Sequence, residues 1–84
     1  MKVLHIIRDP REKLALEVAR YQAGFKRVSL LLIQDGVLAD IKSDFSVYAL
    51  GEDMEARGIQ GRYPSVDYSE MVGLITGHDQ VIVW

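Results

Sequence analysis

The run Val28-Ser29-Leu30-Leu31-Leu32-Ile33 shows no alternation of polar and apolar residues; one small hydroxyl sits among branched aliphatics. A strand with one wet face alternates with period two, so this one needs cover on both faces. That is the position of an inner strand in a parallel sheet with helices above and below. The flanking segments agree. "KVLHII" reads as a second buried strand, "FSVYAL" as a third and "QVIVW" as a fourth, while "IQGRYPSV" is a connector able to hold a short extended piece. "PREKLALEVARYQAG" places Leu14, Ala15, Val18, Ala19 and Gln22 on one stripe at helical spacing. Asp9 is its expected N-cap, Pro10 its first residue and Glu12 its third, with Gly24 as the stop. "GVLADIKS" has room for a short helix. "EDMEARG" makes two helical turns closed by Gly58 and Ile59, and "DYSEMVGLITG" is capped by Asp67 with Glu70 and ended by Gly77. Strands alternating with helices predict an α/β fold: a small three-layer αβα sandwich with a mainly parallel sheet of four to five strands, residues 1–84 forming a single domain.

A chain of 84 residues beginning at Met1 is expected to be complete and to bury only roughly 60% of its unfolded surface. With no cysteine it has neither disulfide nor thiolate–metal staples, so oligomerisation is the expected route to added stability. The net charge of −2 gives no general attraction to nucleic acid or anionic membrane. The N-terminal apolar run is too short for a signal peptide or a span, so no membrane association and a cytoplasmic location are expected.

In open α/β sheets ligands collect at the carboxyl ends of the strands, here Arg8-Asp9-Pro10, Gln34-Asp35-Gly36 and Leu50-Gly51-Glu52. Each helix start carries an acid. Those carboxylates occupy the free N–H groups that a phosphate needs, and no glycine-rich nucleotide loop is present, so no cofactor is expected. Asp35 is read as a helix cap and Gly36 as the residue that relaxes the strand-to-helix turn. Two uses are open to the Gln34 amide: bonding loop carbonyls, or facing a groove shared with a partner. His5, mid-strand, and His78, past the last helix, form no metal pattern; His5 reads as a hydrogen-bonded core or interface residue. No serine lies in a nucleophile-elbow context, so no catalytic residue is assigned. Asp53 and Arg57, four apart, read as an exposed ion pair. Trp84 either packs under the chain's own helices or enters a subunit interface, where Tyr48 and Tyr68 can join it. Met54 and Met71 read as core fillers.

The segments "LLLIQDGVL", "VYALGEDMEARGI" and "VDYSEMVGLITGHDQVIVW" together resemble the DsrH/TusB family of sulfur-relay proteins, in order and spacing over most of the chain. The resemblance implies a DsrE-like αβα fold and assembly with cysteine-bearing DsrE/TusD-like and with DsrF/TusC-like subunits. It also implies transfer of sulfur as a persulfide, in tRNA wobble-uridine 2-thiolation or in sulfur oxidation, with the reactive cysteine on the TusD-like partner. Some members carry a cysteine; this chain does not. A persulfide needs a thiol, and a thioether cannot form one. The expectation is a non-catalytic scaffold or docking subunit, with Gln34, Asp35 and Gly36 at the partner site and no direct nucleic-acid binding alone. The alternatives are a small-ligand-binding α/β domain and a homo-oligomer without a relay role.

Overall fold

The computed structural model describes residues 1–84. Five parallel strands form one sheet: β1 (Lys2–Ile7), β2 (Arg27–Leu32), β3 (Ser46–Leu50), β4 (Ser65–Val66) and β5 (Gln80–Val83), in the order β4-β3-β2-β1-β5. The unalternated run is β2, with β1 on one side and β3 on the other. The short extended piece expected in the connector is β4, paired with β3.

Three connections cover one face: α1 (Lys13–Gln22), a 3-10 turn (Gln34–Leu38) and α2 (Gly51–Ala56). They step the chain from β1 to β4. The single helix α3 (Tyr68–Gly77) then carries it back over the other face to β5. Steps in one direction over one face and the return over the opposite face are what uniform crossover handedness requires. The core is therefore split by the sheet. Ile7, Val28, Leu30, Leu32 and Ala49 meet Ala15, Ala19, Val37 and Met54 on the first face. Leu4, Ile6, Leu31, Leu50 and Val66 meet Met71, Leu74 and Ile75 on the second.

Helix ends decide where the sequence expectations hold. Asp67 caps α3: its carboxylate accepts from the Glu70 N–H at 2.7 Å while the Glu70 side chain accepts from the Asp67 N–H at 3.1 Å. At the end of α2, Gly58 takes φ +67, and the N–H groups of Gly58 and Ile59 return to Glu55 and Met54. That is the Schellman stop.

The expected cap of α1 does not form. Asp9 accepts from the Arg11 backbone N–H at 2.9 Å, and the Glu12 N–H returns to the Asp9 carbonyl at 3.1 Å. Asp9-Pro10-Arg11-Glu12 is thus a separate turn with proline at its second position, and the helix begins only at Lys13, without a side-chain cap. The expected stripe is also corrected. Ala15 and Ala19 are buried, but Leu14 is exposed, because α1 rests on the sheet through its two alanines.

The Asp9–Arg11 turn has a pH signature. Hydrogen bonds from the Arg11 side chain, then from its backbone, hold the Asp9 carboxyl at about 2. A carboxyl lowered on folding contributes stability above its ordinary value of 3.8, and that contribution disappears as pH falls through about 2. NMR titration of the Asp9 carboxyl carbon is expected to show the low midpoint. In Arg11→Ala, which keeps only the backbone donor, the midpoint moves part of the way back toward 3.8.

Candidate functional site

The carboxyl edge of β2 is where two of the sequence segments meet. Ile33 remains extended and donates its N–H to the Ile7 carbonyl at 3.0 Å, and the chain then turns sharply at Gln34, which takes φ +52. This left-handed conformation costs an L-residue roughly 1–2 kcal/mol and persists only where neighbours impose it. The neighbour is α2. The Asp53 carboxylate accepts the Gln34 N–H at 2.7 Å. Arg57, one helical turn later, lies 3.8 Å from the Asp53 carboxylate and donates to the Asp53 carbonyl at 3.1 Å. Its Nε and Nη2 both reach Asp35 Oδ1 at 2.9 Å. The Asp53–Arg57 pair read as a surface contact is thus the clamp that joins α2 to the Gln34-Asp35-Gly36 turn.

This geometry corrects one expectation. Asp35 is not a helix cap; Ile33 occupies the cap position, no side chain caps the turn, and the Asp35 carboxylate is engaged by Arg57. A five-residue 3-10 turn packed onto α2 offers the carboxylate a better donor than its own backbone. Gly36 is required more strictly than a relaxed turn would demand. A Cβ at this position would lie 2.1 Å from the Ile7 carbonyl oxygen, so the turn sits directly on the end of β1. Gln34 keeps its exposed side-chain amide free of any bond to the chain; the side-chain amide bonded within the protein is that of Gln22.

His5, Gln22 and Trp84 form a second polar cluster, under α1. The indole N–H, which can only donate, points at His5 Nδ1 at 2.9 Å. Nδ1 therefore accepts, and Nε2 carries the proton that goes to Gln22 Oε1 at 2.6 Å. His5 is fully buried with both nitrogens satisfied. The two rings lie 24° from parallel with centroids 6.0 Å apart. Trp84 is fixed further by its N–H to the Ile6 carbonyl at 2.9 Å and by Arg8 Nε donating to its carbonyl at 2.7 Å. That last bond bridges β1 and β5, where the chain reverses its direction across the sheet and a crevice would otherwise open. A cleft of about 290 Å3 at this edge, between the start of α1 and residues 39–41, carries the carboxylates of Asp9, Glu12, Glu17 and Asp40. Lys13 and Arg20 also line it, so the cleft keeps an excess of two negative charges and does not attract a phosphate.

The three aromatic residues grouped by the sequence are not brought together. Trp84 packs on the α1 face, Tyr48 lies partly buried on the α3 face, and Tyr68 stands on the outside of α3, 57% exposed. Val72, one turn on from Tyr68, is exposed alongside it. Tyr63 was not singled out by the sequence. Its hydroxyl accepts from the Ile41 N–H at 3.0 Å and donates to the Ala39 carbonyl, pinning the loop that follows the turn. A tyrosine between the Gly58–Gly61 turn and Pro64 gave no periodic signal that could have shown this.

The family model described as DsrH like protein matches residues 10–81. Protein TusB of Escherichia coli O81 (strain ED1a) is 38% identical over 69 residues, covering 66% of this chain and 73% of that protein. Protein TusB of Photorhabdus laumondii subsp. laumondii is 35% identical over 86 aligned positions, covering 76% of this chain and 90% of that protein. The crystal structure of the ychN protein from E. coli superposes with a TM-score of 0.78 over 100% of both chains at 16% identity, which establishes the shared fold. The matched region contains the Gln34-Asp35-Gly36 turn, its Asp53–Arg57 clamp and the capped helix α3, and with relatives of this identity and coverage it shows that the chain belongs to the DsrH-like family.

Proposed function

We propose that this chain is a non-catalytic docking subunit of a cytoplasmic persulfide relay. It works beside a cysteine-bearing DsrE/TusD-like subunit and a DsrF/TusC-like subunit, in tRNA wobble-uridine 2-thiolation or sulfur oxidation. Persulfide chemistry needs a thiolate, and these 84 residues contain none, so the reacting sulfur belongs to the partner. The observation that carries the reading is the Gln34 turn. A non-glycine residue is held at positive φ by a two-point clamp, and its free amide is presented at the sheet's carboxyl edge. The clamp fixes the backbone from which the amide projects, so docking on a partner loop has only the side chain left to order, not the turn. The apolar outer face of α3, with Tyr68 and Val72, supplies a surface for burial in the same assembly.

Gln34→Gly separates docking from folding. It deletes the amide and relieves the backbone, so stability is expected to stay level or rise by up to about 1 kcal/mol. Affinity for the cysteine-bearing partner is expected to fall about tenfold, corresponding to about 1.4 kcal/mol. Calorimetric titration with that partner and thermal unfolding of the free chain measure the two effects. Undiminished affinity, or a native mass showing only copies of this chain after co-expression with the partner, would overturn the reading.

A further inference from the structure

At the opposite end of the sheet, the strand N-termini border a groove of about 670 Å3 that wraps round the sheet end, from Ala23, Val28 and Phe45 on the α1 face to Leu74 and His78 on the α3 face. Its volume lies within the range of small-ligand sites. The groove exists because α3 is one helix over five strands, leaving the start of β1, β2 and β3 uncovered.

The register sets what faces it. Lys2 stands beside Arg27, and Ser29 beside Ser46 one rung further along; Tyr48 follows on the next. All share the face of Leu4 and Leu31, which pack toward α3. Neighbouring strands are roughly 4.8 Å apart and same-face rungs roughly 6.7 Å apart. The two hydroxyls on neighbouring strands and Arg27 one rung back therefore fall within reach of one tetrahedral oxyanion, while Lys2, roughly 12 Å from Ser46 along the sheet, reaches it through its long side chain. Lys26 lies at the rim, its ammonium 5.5 Å from the centre of the Phe25 ring.

Apart from Lys26 on the Phe25 ring, the side chains of these groups lack polar partners within the chain. No carboxylate forms an ion pair with Lys2, Lys26 or Arg27; the ion pairs present belong to Arg11 and Arg57. The side-chain hydroxyls bonded within the chain are those of Ser43, Tyr63 and Thr76, not those of Ser29, Ser46 or Tyr48. Two like charges directly opposite on adjacent strands are destabilising, and here they occur in a chain of net charge −2. Acidic groups are few: Asp44 lines the rim, and Asp79 accepts the Lys2 backbone N–H at 2.8 Å. His78, also at the groove, gives its Nδ1–H to the Leu74 carbonyl at 2.6 Å.

We propose that this groove binds a small phosphate monoester, with the phosphate on Lys2, Arg27, Ser29 and Ser46 and the organic body against Tyr48 and Leu74. A tetrahedral dianion supplies enough acceptor oxygens for several converging donors at once, and the guanidinium matches it with two parallel bonds. The site is separate from the Gln34 turn, at the other end of the strands, and its occupancy does not depend on the docking reading.

The probe is AMP, titrated into the 15N-labelled full chain, with adenosine and inorganic phosphate in parallel. Saturable shifts are expected at Ser29, Ser46 and Tyr48 with AMP, weaker ones with phosphate and weaker still with adenosine. Arg27→Gln is expected to weaken AMP about tenfold, as for loss of a charge-assisted contact, and Ser46→Ala about threefold. Both positions are exposed, so the variants are expected to fold, which thermal melts check. Lys13→Gln, an exposed cation on α1, leaves binding unchanged. Absence of saturation, equal binding of adenosine and AMP, or equal weakening by Lys13→Gln would each refute the proposal. So would an oligoribonucleotide that occupies the groove when AMP does not.

Discussion

Gly36→Ala is expected to destabilise the chain by about 3 kcal/mol, the upper range for overpacking a well-filled interior. The added carbon would fall 2.1 Å from the Ile7 carbonyl oxygen and 2.8 Å from its carbon. Neither can retreat, because that oxygen already accepts the Ile33 N–H at 3.0 Å and Ile7 is buried at the end of a central strand. The turn cannot lift off either without breaking the Asp53 and Arg57 bonds that hold it to α2. A domain of this size has roughly 4–12 kcal/mol of stability in total, so urea unfolding should show a large loss of midpoint and heating a fall of about 15 °C. Gly73→Ala is the control. A Cβ there meets nothing within 4 Å, and alanine in a helix interior gains about 0.5–1 kcal/mol over glycine. A loss below about 0.5 kcal/mol in Gly36→Ala would mean that the turn shifts freely, and the close packing on β1 would be refuted.

Trp84→Ala is expected to cost about 3 kcal/mol, in the range for removing a large aromatic, although the ring is only partly buried. Trp84→Phe tests the hydrogen bond separately. It keeps most of the ring but leaves His5 Nδ1, in a fully buried side chain, without its donor, for about 1–2 kcal/mol. Combining it with His5→Leu removes the orphaned acceptor, so the double variant is expected to lose less than the sum of the singles in a denaturant-unfolding cycle. Strict additivity would show that the two rings are neighbours without coupling. Unchanged stability of Trp84→Ala together with loss of an assembly would instead place the ring in a subunit interface.

Several elements were legible in the residues for stated reasons. The unalternated β2 demanded two covered faces and received them over Leu30–Leu32 from α1, the 3-10 turn and α2 on one side and α3 on the other, with only Arg27 and Ser29 at its start left open on the α3 side. Asp67 with Glu70, and Gly58 with Ile59, are complete local devices whose partners lie within a few residues, and both formed as read. Asp9 and Asp35 carry the same kind of signal, yet neither caps a helix. Each carboxylate found an arginine: Arg11 two residues on for Asp9, and Arg57 from a different element for Asp35.

The order of strands and helices, the parallel sheet and the absence of a thiol were determined by the amino-acid sequence alone, because periodicity, turn chemistry and composition are local or additive properties. Only the tertiary structure decided that Gln34 is held at positive φ by Asp53, that Gly36 rests on Ile7, that Trp84 meets His5, and that Lys2, Arg27, Ser29 and Ser46 share one patch. These contacts join residues separated by 17 to 79 positions along the chain. Their formation depends on strand register and helix placement, which no single segment specifies.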